Sequence, residues 1–235
     1  MKAVILAGGL GTRIMEETKK VPKPMVQISG KPLLWHLIKY FIEYDFEEII
    51  ICGGYKYKII RNYFKKNNIS KKIKKRVINT GLNSNTGKRL KQIYNFVSEE
   101  KMFLMTYGDG LSNKNINKLI NFHKKNKVIA TVTAVKQPPR WGAIKVIKNK
   151  VSTFSEKNSR TPQYINGGFF VLSPSALKFI KGNQMWEQEP IRKITRLKQL
   201  ACYKHNGFWQ AMDTLREKKF LEKIFKEKAP WKIWR

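Results

Sequence analysis

The sequence of 235 residues has few cysteines, few acidic residues and no long apolar run, and each shortage narrows what the protein can be. Two cysteines, Cys52 and Cys202, cannot build a disulfide framework, and neither has a second ligand at metal-binding spacing, which argues against a structural zinc site. No stretch approaches the roughly 18 apolar residues of a membrane-spanning helix. The apolar run of residues 3–7 breaks into glycines too early for a signal peptide. We therefore expect a protein of the reducing cytoplasm without a membrane partner.

Acidic residues are scarce, because 16 Asp and Glu stand against 48 Lys and Arg, which gives a net charge of +32. Such a surface attracts polyanions, including nucleotides and sugar phosphates. Nucleic acid is a less favoured partner, because only 10 of the 48 basic residues are Arg, the type preferred for bidentate base and phosphate recognition. No nucleic-acid-binding motif is recognisable either. A basic, non-catalytic nucleic-acid-binding protein is the alternative from a different class.

Short apolar runs alternate with helical patterns along the first part of the chain. The apolar runs predict strands at residues 3–6, 48–52, 102–106 and 128–135. The helical patterns predict helices at residues 33–44, 59–64, 86–97 and 114–125. This alternation predicts an α/β fold that is Rossmann-like, with a mostly parallel sheet and helices on both faces. In such sheets ligands bind beyond the carboxyl ends of the strands.

The pattern changes after Pro138-Pro139. Further strands are predicted at residues 142–147, 151–154 and 169–172, and a basic helix at residues 215–225. Since no linker separates two folding units, we interpret residues 1–235 as a single domain, whose second part from about residue 136 is a small β-rich extension. The lysine run at residues 65–76 predicts an exposed loop.

Residues 8–13 form a glycine-rich turn directly after the first strand. Such a turn lets backbone amides approach a phosphate closely, although a tight turn without a ligand is the alternative. The spacing is neither the dinucleotide fingerprint nor a Walker A loop. A lysine fixed between two prolines, Pro22-Lys23-Pro24, follows a few residues later, and its alternative is a rigid surface turn. Asp109 lies between two glycines at the end of a predicted strand.

These motifs resemble the opening signature of sugar-phosphate nucleotidyltransferases: Gly-Gly-Leu-Gly-Thr-Arg at residues 8–13, then Pro-Lys-Pro-Met at residues 22–25. Further phrases that carry the resemblance lie at residues 30–36, 106–110, 140–143, 165–170, 186–190 and 207–214. The likeness runs nearly from end to end. It implies the nucleotide-diphospho-sugar transferase type of fold, with nucleotide bound by residues of about 1–135 and sugar phosphate by residues of about 136–235.

The resemblance also implies substrates and roles. The substrates would be CTP and α-D-glucose 1-phosphate, the products CDP-glucose for surface polysaccharide and pyrophosphate, and the cofactor Mg²⁺ held by Asp109 and Asp213. The catalytic residues would be Arg13, Lys23 and Asp109. The nucleotide-binding residues would be Leu6, Ala7, Gly8, Gly9, Leu10, Gly11, Thr12, Arg13, Lys23, Ser84, Thr86, Arg89 and Gly108. The sugar-phosphate-binding residues would be Gly142, Glu156, Lys157, Asn166 and Gly167.

Several alternatives stay open. Another nucleoside triphosphate or sugar 1-phosphate could be the substrate, and a relative that binds nucleotide only for regulation is a third reading. Asp213 has the alternative role of an N-cap for the helix that follows. The stretch of residues 67–76 is shorter than in the family and falls near subunit contacts there, so a homo-oligomer is neither required nor excluded.

No side-chain nucleophile is needed for this chemistry, and the remaining aromatic and histidine residues have plainer interpretations. His36, His123 and His205 lack a Ser or Cys nucleophile in a recognisable elbow, and we expect structural roles for them. Trp231 and Trp234 could stack on bases, but we expect them to fasten the end of the chain to the body of the protein.

Overall fold

A computed structural model describes residues 1–67, 69–136, 143–147, 150–155 and 164–234. The strands of this part are β1 (Lys2–Ala7), β2 (Gln27–Ile28), β3 (Lys31–Pro32), β4 (Glu48–Gly53), β5 (Lys74–Asn79), β6 (Phe103–Tyr107), β7 (Gly110–Ser112), β8 (Ala130–Lys136), β9 (Ala143–Ile147), β10 (Lys150–Ser155), β11 (Tyr164–Leu172), β12 (Leu200–His205) and β13 (Trp209–Ala211). The α-helices are α1 (Met15–Thr18), α2 (Leu33–Ile42), α3 (Tyr57–Lys66), α4 (Thr86–Gln92), α5 (Tyr94–Val97), α6 (Ile116–Asn126), α7 (Glu189–Arg196) and α8 (Leu215–Lys228). Short 3₁₀ turns lie at Thr12–Ile14, Lys23–Met25 and Pro174–Phe179.

Seven strands form the main sheet in the order β12-β8-β11-β6-β1-β4-β5. Strand β1 is parallel to both neighbours, β4 and β6, and β5 and β12 are also parallel to their partners. Strand β11 alone runs antiparallel, to β6 on one side and β8 on the other. The prediction of a mostly parallel sheet is therefore confirmed. The β-rich end of the chain contributes to this sheet, because β11 is inserted between two strands of the first part.

Helices cover both faces of the sheet, as the alternating pattern predicts. Successive side chains of β1 point to opposite faces, so Ala3 and Ile5 enter one apolar cluster while Val4 and Leu6 enter the other. Residues of α2 and α8 complete the first cluster, and residues of α4 and α7 complete the second. Burial on both faces explains why β1 reads as a continuous apolar run.

Two sequence-based element predictions need correction. The helix predicted over residues 86–97 is divided into α4 and α5, with the turn at Ile93 between them. The loop predicted over residues 65–76 is shorter than expected, because α3 extends to Lys66 and the edge strand β5 begins at Lys74. The strand β5 begins with basic residues, so the sequence there lacks the apolar pattern that predicts a strand. One of them, Arg76, pairs with Glu48 of the neighbouring strand at 2.7 Å.

The aromatic tail packs onto the body of the protein, which confirms the expected fastening role. Trp231 is fully buried and stacks on Phe208 with 5.5 Å between ring centroids, and Trp234 is 6 % exposed. Both belong to the apolar cluster that includes α2 and α8. No helix in the described part of the chain is long and apolar enough to cross a membrane.

Replacing Trp231 by alanine is expected to destabilise the fold by about 3–5 kcal/mol, because a fully buried indole leaves a cavity that its neighbours cannot fill. The measurement is the free energy of unfolding from urea denaturation. Ile233→Ala, at a side chain 43 % exposed in the same tail, is the control and should cost less than about 1 kcal/mol. Equal losses in the two variants would contradict the fastening role of Trp231.

Candidate active site

The carboxyl ends of β1, β4 and β6 meet at one edge of the sheet, and a cavity of about 310 Å³ opens there. The backbone holds these ends together, since the amide of Gly108 after β6 donates to the carbonyl of Leu6 in β1 at 2.9 Å. The predicted residues that line the cavity are Leu6, Ala7, Gly8, Gly9, Gly11, Thr12, Arg13, Lys23, Ser84, Thr86, Arg89, Gly108, Asp109 and Asp213. Leu10 does not line it and is 52 % exposed.

The glycine-rich turn owes its shape to close approaches that other residues would block. Gly11 has a positive φ of 68°, and its carbonyl accepts the hydroxyl of Thr18 at 3.0 Å. A Cβ at Gly8 would lie 2.2 Å from the guanidinium of Arg89. The turn therefore packs directly against neighbouring side chains while its backbone faces the cavity.

Four charged side chains converge beside this turn. The ammonium of Lys23 lies 2.6 Å from a carboxylate oxygen of Asp109 and 2.5 Å from one of Asp213. Arg13 approaches the other carboxylate oxygen of Asp213 at 2.6 Å, although 70 % of the Arg13 side chain is exposed. Burial acts to lower the pKa of Lys23, but the charge of Asp109 and hydrogen bonds to both carboxylates raise this pKa above its ordinary value. Lys23 is therefore an ammonium ion.

Local structure brings the two aspartates together. Asp109 lies in the turn between β6 and β7, and its carbonyl accepts the amide of Met212 at 2.8 Å. Asp213 precedes α8, whose N-cap is Thr214 in a capping box with Glu217. The alternative of Asp213 as the N-cap is therefore wrong. Its carboxylate faces Lys23 and Arg13 instead.

The two carboxylates have the donor chemistry that Mg²⁺ prefers. Both reach within 2.6 Å of one ammonium nitrogen, so their oxygens point at a common position. Among the described residues, no group of three or more His, Cys, Asp or Glu side chains could hold a metal ion. A two-carboxylate site fits Mg²⁺, which keeps several waters and completes its shell with substrate phosphates.

Arg89, predicted to contact the nucleotide, is buried and fully engaged with the protein. Its guanidinium donates hydrogen bonds of 2.7–3.3 Å to the hydroxyl of Thr80 and to the carbonyls of Gly8, Gly53, Gly81 and Leu82. Burial lowers its pKa from the ordinary value, yet an arginine keeps its charge in proteins. These bonds tie the glycine-rich turn to the loop that carries Ser84. A direct contact between Arg89 and nucleotide stays a prediction.

Thr86, also predicted to bind nucleotide, has both hydrogen-bonding functions of its hydroxyl occupied. The hydroxyl donates to Glu187 at 2.6 Å and accepts from the amide of Trp186 at 2.9 Å. The other carboxylate oxygen of Glu187 accepts the hydroxyl of Tyr107. The sequence alone indicates no role for Glu187 or Tyr107, although both lie in phrases that carry the resemblance, at residues 186–190 and 106–110.

The predicted sugar-phosphate residues are described only in part. Asn166 and Gly167 lie in β11, where the carbonyl of Gly167 accepts the indole N–H of Trp209 at 2.8 Å. The amide nitrogen of Asn166 lies 3.5 Å from the hydroxyl of Tyr107, which lines the cavity. Gly142, Glu156 and Lys157 lie outside the described residues.

The histidines have structural partners. His36 is fully buried against the carbonyl of Ile28 at 3.1 Å, and burial lowers its pKa to about 4, so it is neutral. His123 contacts the hydroxyl of Thr131 at 2.8 Å. His205 lies 3.3 Å from the hydroxyl of Ser112, but that serine is buried and donates to a backbone carbonyl instead of facing the cavity.

A mostly parallel sheet with a glycine-rich turn and a cation–carboxylate cluster at its strand ends defines an α/β protein built to bind phosphate esters. Residues 2–216 match the family model described as nucleotidyl transferase. The chain is 44 % identical to the glucose-1-phosphate cytidylyltransferase of Salmonella typhimurium, and 38 % identical to the probable glucose-1-phosphate cytidylyltransferase of Bacillus subtilis, with both proteins covered over their full length in each match.

A solved structure described as a UTP-bound UGPase from Acinetobacter baumannii shares the fold, with a TM-score of 0.77 at 17 % identity, and the match covers 97 % of this chain and 95 % of that one. The chain belongs to the nucleotidyl transferase family, and within it to the sugar-phosphate nucleotidyltransferases. The expected fold type and the expected enzyme class are therefore both confirmed.

Proposed function

We propose that this protein transfers a cytidylyl group from CTP to α-D-glucose 1-phosphate, giving CDP-glucose and pyrophosphate. The observation that carries the proposal is the cluster of Arg13, Lys23, Asp109 and Asp213 beside the glycine-rich turn, in a chain that matches a glucose-1-phosphate cytidylyltransferase from end to end. Phosphoryl transfer needs alignment and charge neutralisation rather than a covalent partner on the protein. The cluster and the turn supply both.

The reaction is an in-line displacement at phosphorus. An oxygen of the sugar phosphate attacks the α-phosphorus of CTP, and the new P–O bond forms as the bond to the β-phosphate breaks, its electron pair leaving with pyrophosphate. The attacking oxygen is already ionised at neutral pH, so no side chain has to remove a proton. Backbone amides of residues 8–13 bind the phosphates. Arg13 and Lys23 neutralise the charge that develops on the leaving group.

Mg²⁺ belongs to the same proposal. Asp109 and Asp213 are the residues that would hold it, because their carboxylate oxygens converge beside the turn. When bound, the ion neutralises and orients phosphate oxygens. Asn166 and Gly167 would contact the sugar phosphate from β11, where the side-chain amide of Asn166 lies 3.5 Å from the hydroxyl of Tyr107. Gly142, Glu156 and Lys157 complete the proposed sugar-phosphate set.

CTP is expected to give a kcat/KM at least about tenfold above those of UTP, dTTP and GTP with glucose 1-phosphate. Cytosine carries an amino donor at position 4 where uracil carries a carbonyl, and an acceptor aimed at this position would be left unpaired by uracil. A pyrimidine-sized pocket would exclude GTP by volume. The measurement is pyrophosphate release for each of the four nucleotides against a panel of sugar 1-phosphates.

Each outcome of that panel decides something. Equal or faster turnover with UTP or dTTP would contradict the cytidylyl assignment and keep the sugar-phosphate nucleotidyltransferase class. A different preferred sugar would correct only the acceptor. Nucleotide binding without turnover for any pair would favour a relative that binds nucleotide without catalysis.

A further inference from the structure

A chain of hydrogen bonds crosses the candidate site from the nucleotide loop to the sugar-phosphate side. Thr86 opens α4 and donates to one oxygen of Glu187 at 2.6 Å, and Tyr107 donates to the other oxygen. Asn166 of β11 continues the chain, with its amide nitrogen 3.5 Å from the Tyr107 hydroxyl. A single carboxylate thus joins Thr86, of the proposed nucleotide set, to Tyr107, and Tyr107 in turn contacts Asn166 of the proposed sugar-phosphate set.

The segment that carries Glu187 also binds the nucleotide loop through the side chain and the carbonyl of Asn183. Asn183 accepts the amide of Asn85 with its side chain at 2.8 Å, and its carbonyl accepts the Asn85 side chain at 2.8 Å. The side chain of Asn183 donates in turn to the carbonyl of Asn83 at 2.9 Å. These bonds hold residues 83–85, around Ser84, in one arrangement.

The position of Glu187 is fixed by its neighbour in the chain, Trp186. The neighbouring Trp186 is fully buried in the apolar cluster that includes α4 and α7, and its amide donates to Thr86. Tyr107 keeps its proton, because burial and then the charge of Glu187 raise its pKa well above the ordinary value. Among the described residues, Glu187 forms no ion pair, and its two oxygens are directed at the two hydroxyls instead.

We propose that Glu187 is a positioning residue that couples the nucleotide loop to the sugar-phosphate side through the hydroxyls of Thr86 and Tyr107. The inference rests on the proposed function in one respect, namely the identity of the substrates that occupy the two sides. A carboxylate that accepts one strong hydrogen bond from each side fixes the separation of the two elements, and such a separation governs the alignment of two reacting groups.

Three variants test the coupling: Thr86→Val, Tyr107→Phe and Glu187→Gln. Thr86→Val should raise KM for the nucleotide about tenfold, Tyr107→Phe should raise KM for the sugar phosphate about as much, and Glu187→Gln should raise both. Because both hydroxyls act through Glu187, each single variant should also raise the other KM about threefold. The Thr86→Val/Tyr107→Phe double variant should then raise each KM no more than about tenfold, rather than the roughly thirtyfold of independent sites. Thr86→Ser keeps the hydroxyl, so its KM for the nucleotide should lie closer to that of the parent than to that of Thr86→Val.

Glu189→Gln is the matched control. Its carboxylate lies two residues away and faces Lys193 and Arg196 of α7, so both KM values should change less than twofold. A change in only one KM for Glu187→Gln, or strictly multiplicative losses in the double variant, would overturn the proposal. Equal losses in melting temperature and activity across all variants, without a KM split, would indicate a purely structural role.

The experiment separates this inference from the proposed function. The kinetics use whichever nucleotide and sugar 1-phosphate the parent enzyme turns over best, so another preferred pair leaves the test intact. If the parent shows no turnover, calorimetric measurement of CTP binding with and without glucose 1-phosphate replaces the kinetic assay. If glucose 1-phosphate changes the affinity for CTP in the parent but not in Glu187→Gln, the coupling is supported. If this change is the same in both proteins, or is absent from the parent, the proposal is overturned.

Discussion

Asp109→Asn and Asp213→Asn are each expected to fold normally and to lose about a hundredfold to a thousandfold in turnover, or about 3–4 kcal/mol of transition-state stabilisation. An asparagine keeps the size of the side chain and removes its charge, so the loss falls on the proposed metal binding and on the proposed neutralisation of phosphate charge. Among the described residues, Asp109 forms an ion pair with Lys23, whereas Asp213 forms ion pairs with both Lys23 and Arg13. The measurement is the rate of pyrophosphate release at saturating Mg²⁺, with circular dichroism as the check on folding.

The sequence offers a natural control, because it contains a single further aspartate, Asp45. Asp45 is exposed just before β4, at the edge of the sheet opposite to the strand carboxyl ends. Asp45→Asn should turn over like the parent. Near-normal rates in both site variants at saturating Mg²⁺ would remove the metal assignment. A rate loss accompanied by a collapsed circular dichroism signal would instead make the carboxylates structural.

The centre of the fold could be predicted from the sequence, and its edges could not. Strand β1 is buried on both faces, so its apolar run is unbroken and easy to recognise. Strands β5 and β12 end the sheet on its two sides, where a strand has one neighbour and its side chains meet solvent. Basic and polar residues on such edge strands prevent pairing with another chain, and they interrupt the apolar alternation by which a strand is recognised in the sequence. That is why the sequence pattern indicates a loop over the first residues of β5 and gives no strand at β12.

The same contrast applies to the candidate site. The glycine-rich turn and Lys23 lie within short stretches whose residue types carry their chemistry, and the structure brings both to the cavity together with Asp109 and Asp213. Glu187 could not be given a role, because its function depends on Thr86, which lies 101 residues away in the sequence. A hydrogen bond between distant residues leaves no local pattern.

Lys23→Met is expected to reduce kcat/KM about a hundredfold or more while the metal binds more tightly in the absence of nucleotide. Only 12 % of the Lys23 side chain is exposed, and its ammonium neutralises both site carboxylates. Removing it takes a cation from the phosphates, which lowers the rate. It also removes the ion pair between Lys23 and Asp109 and so strengthens the negative field that a divalent cation meets. Mn²⁺ binding followed by electron paramagnetic resonance measures the second effect.

Lys23→Met is expected to lower the rate and to raise the metal affinity, and these opposite changes distinguish an electrostatic role of Lys23 from a structural one. If Lys23 only fastened its turn, replacing it would lower the rate, the metal affinity and the melting temperature together. If Lys23 shares the carboxylates with the cation, replacing it lowers the rate and raises Mn²⁺ affinity, and added Mg²⁺ then recovers the stability that repulsion between Asp109 and Asp213 removes. Lys20→Met, at an exposed position three residues earlier, should alter neither quantity. Weaker Mn²⁺ binding in Lys23→Met than in Lys20→Met would contradict the shared-carboxylate arrangement.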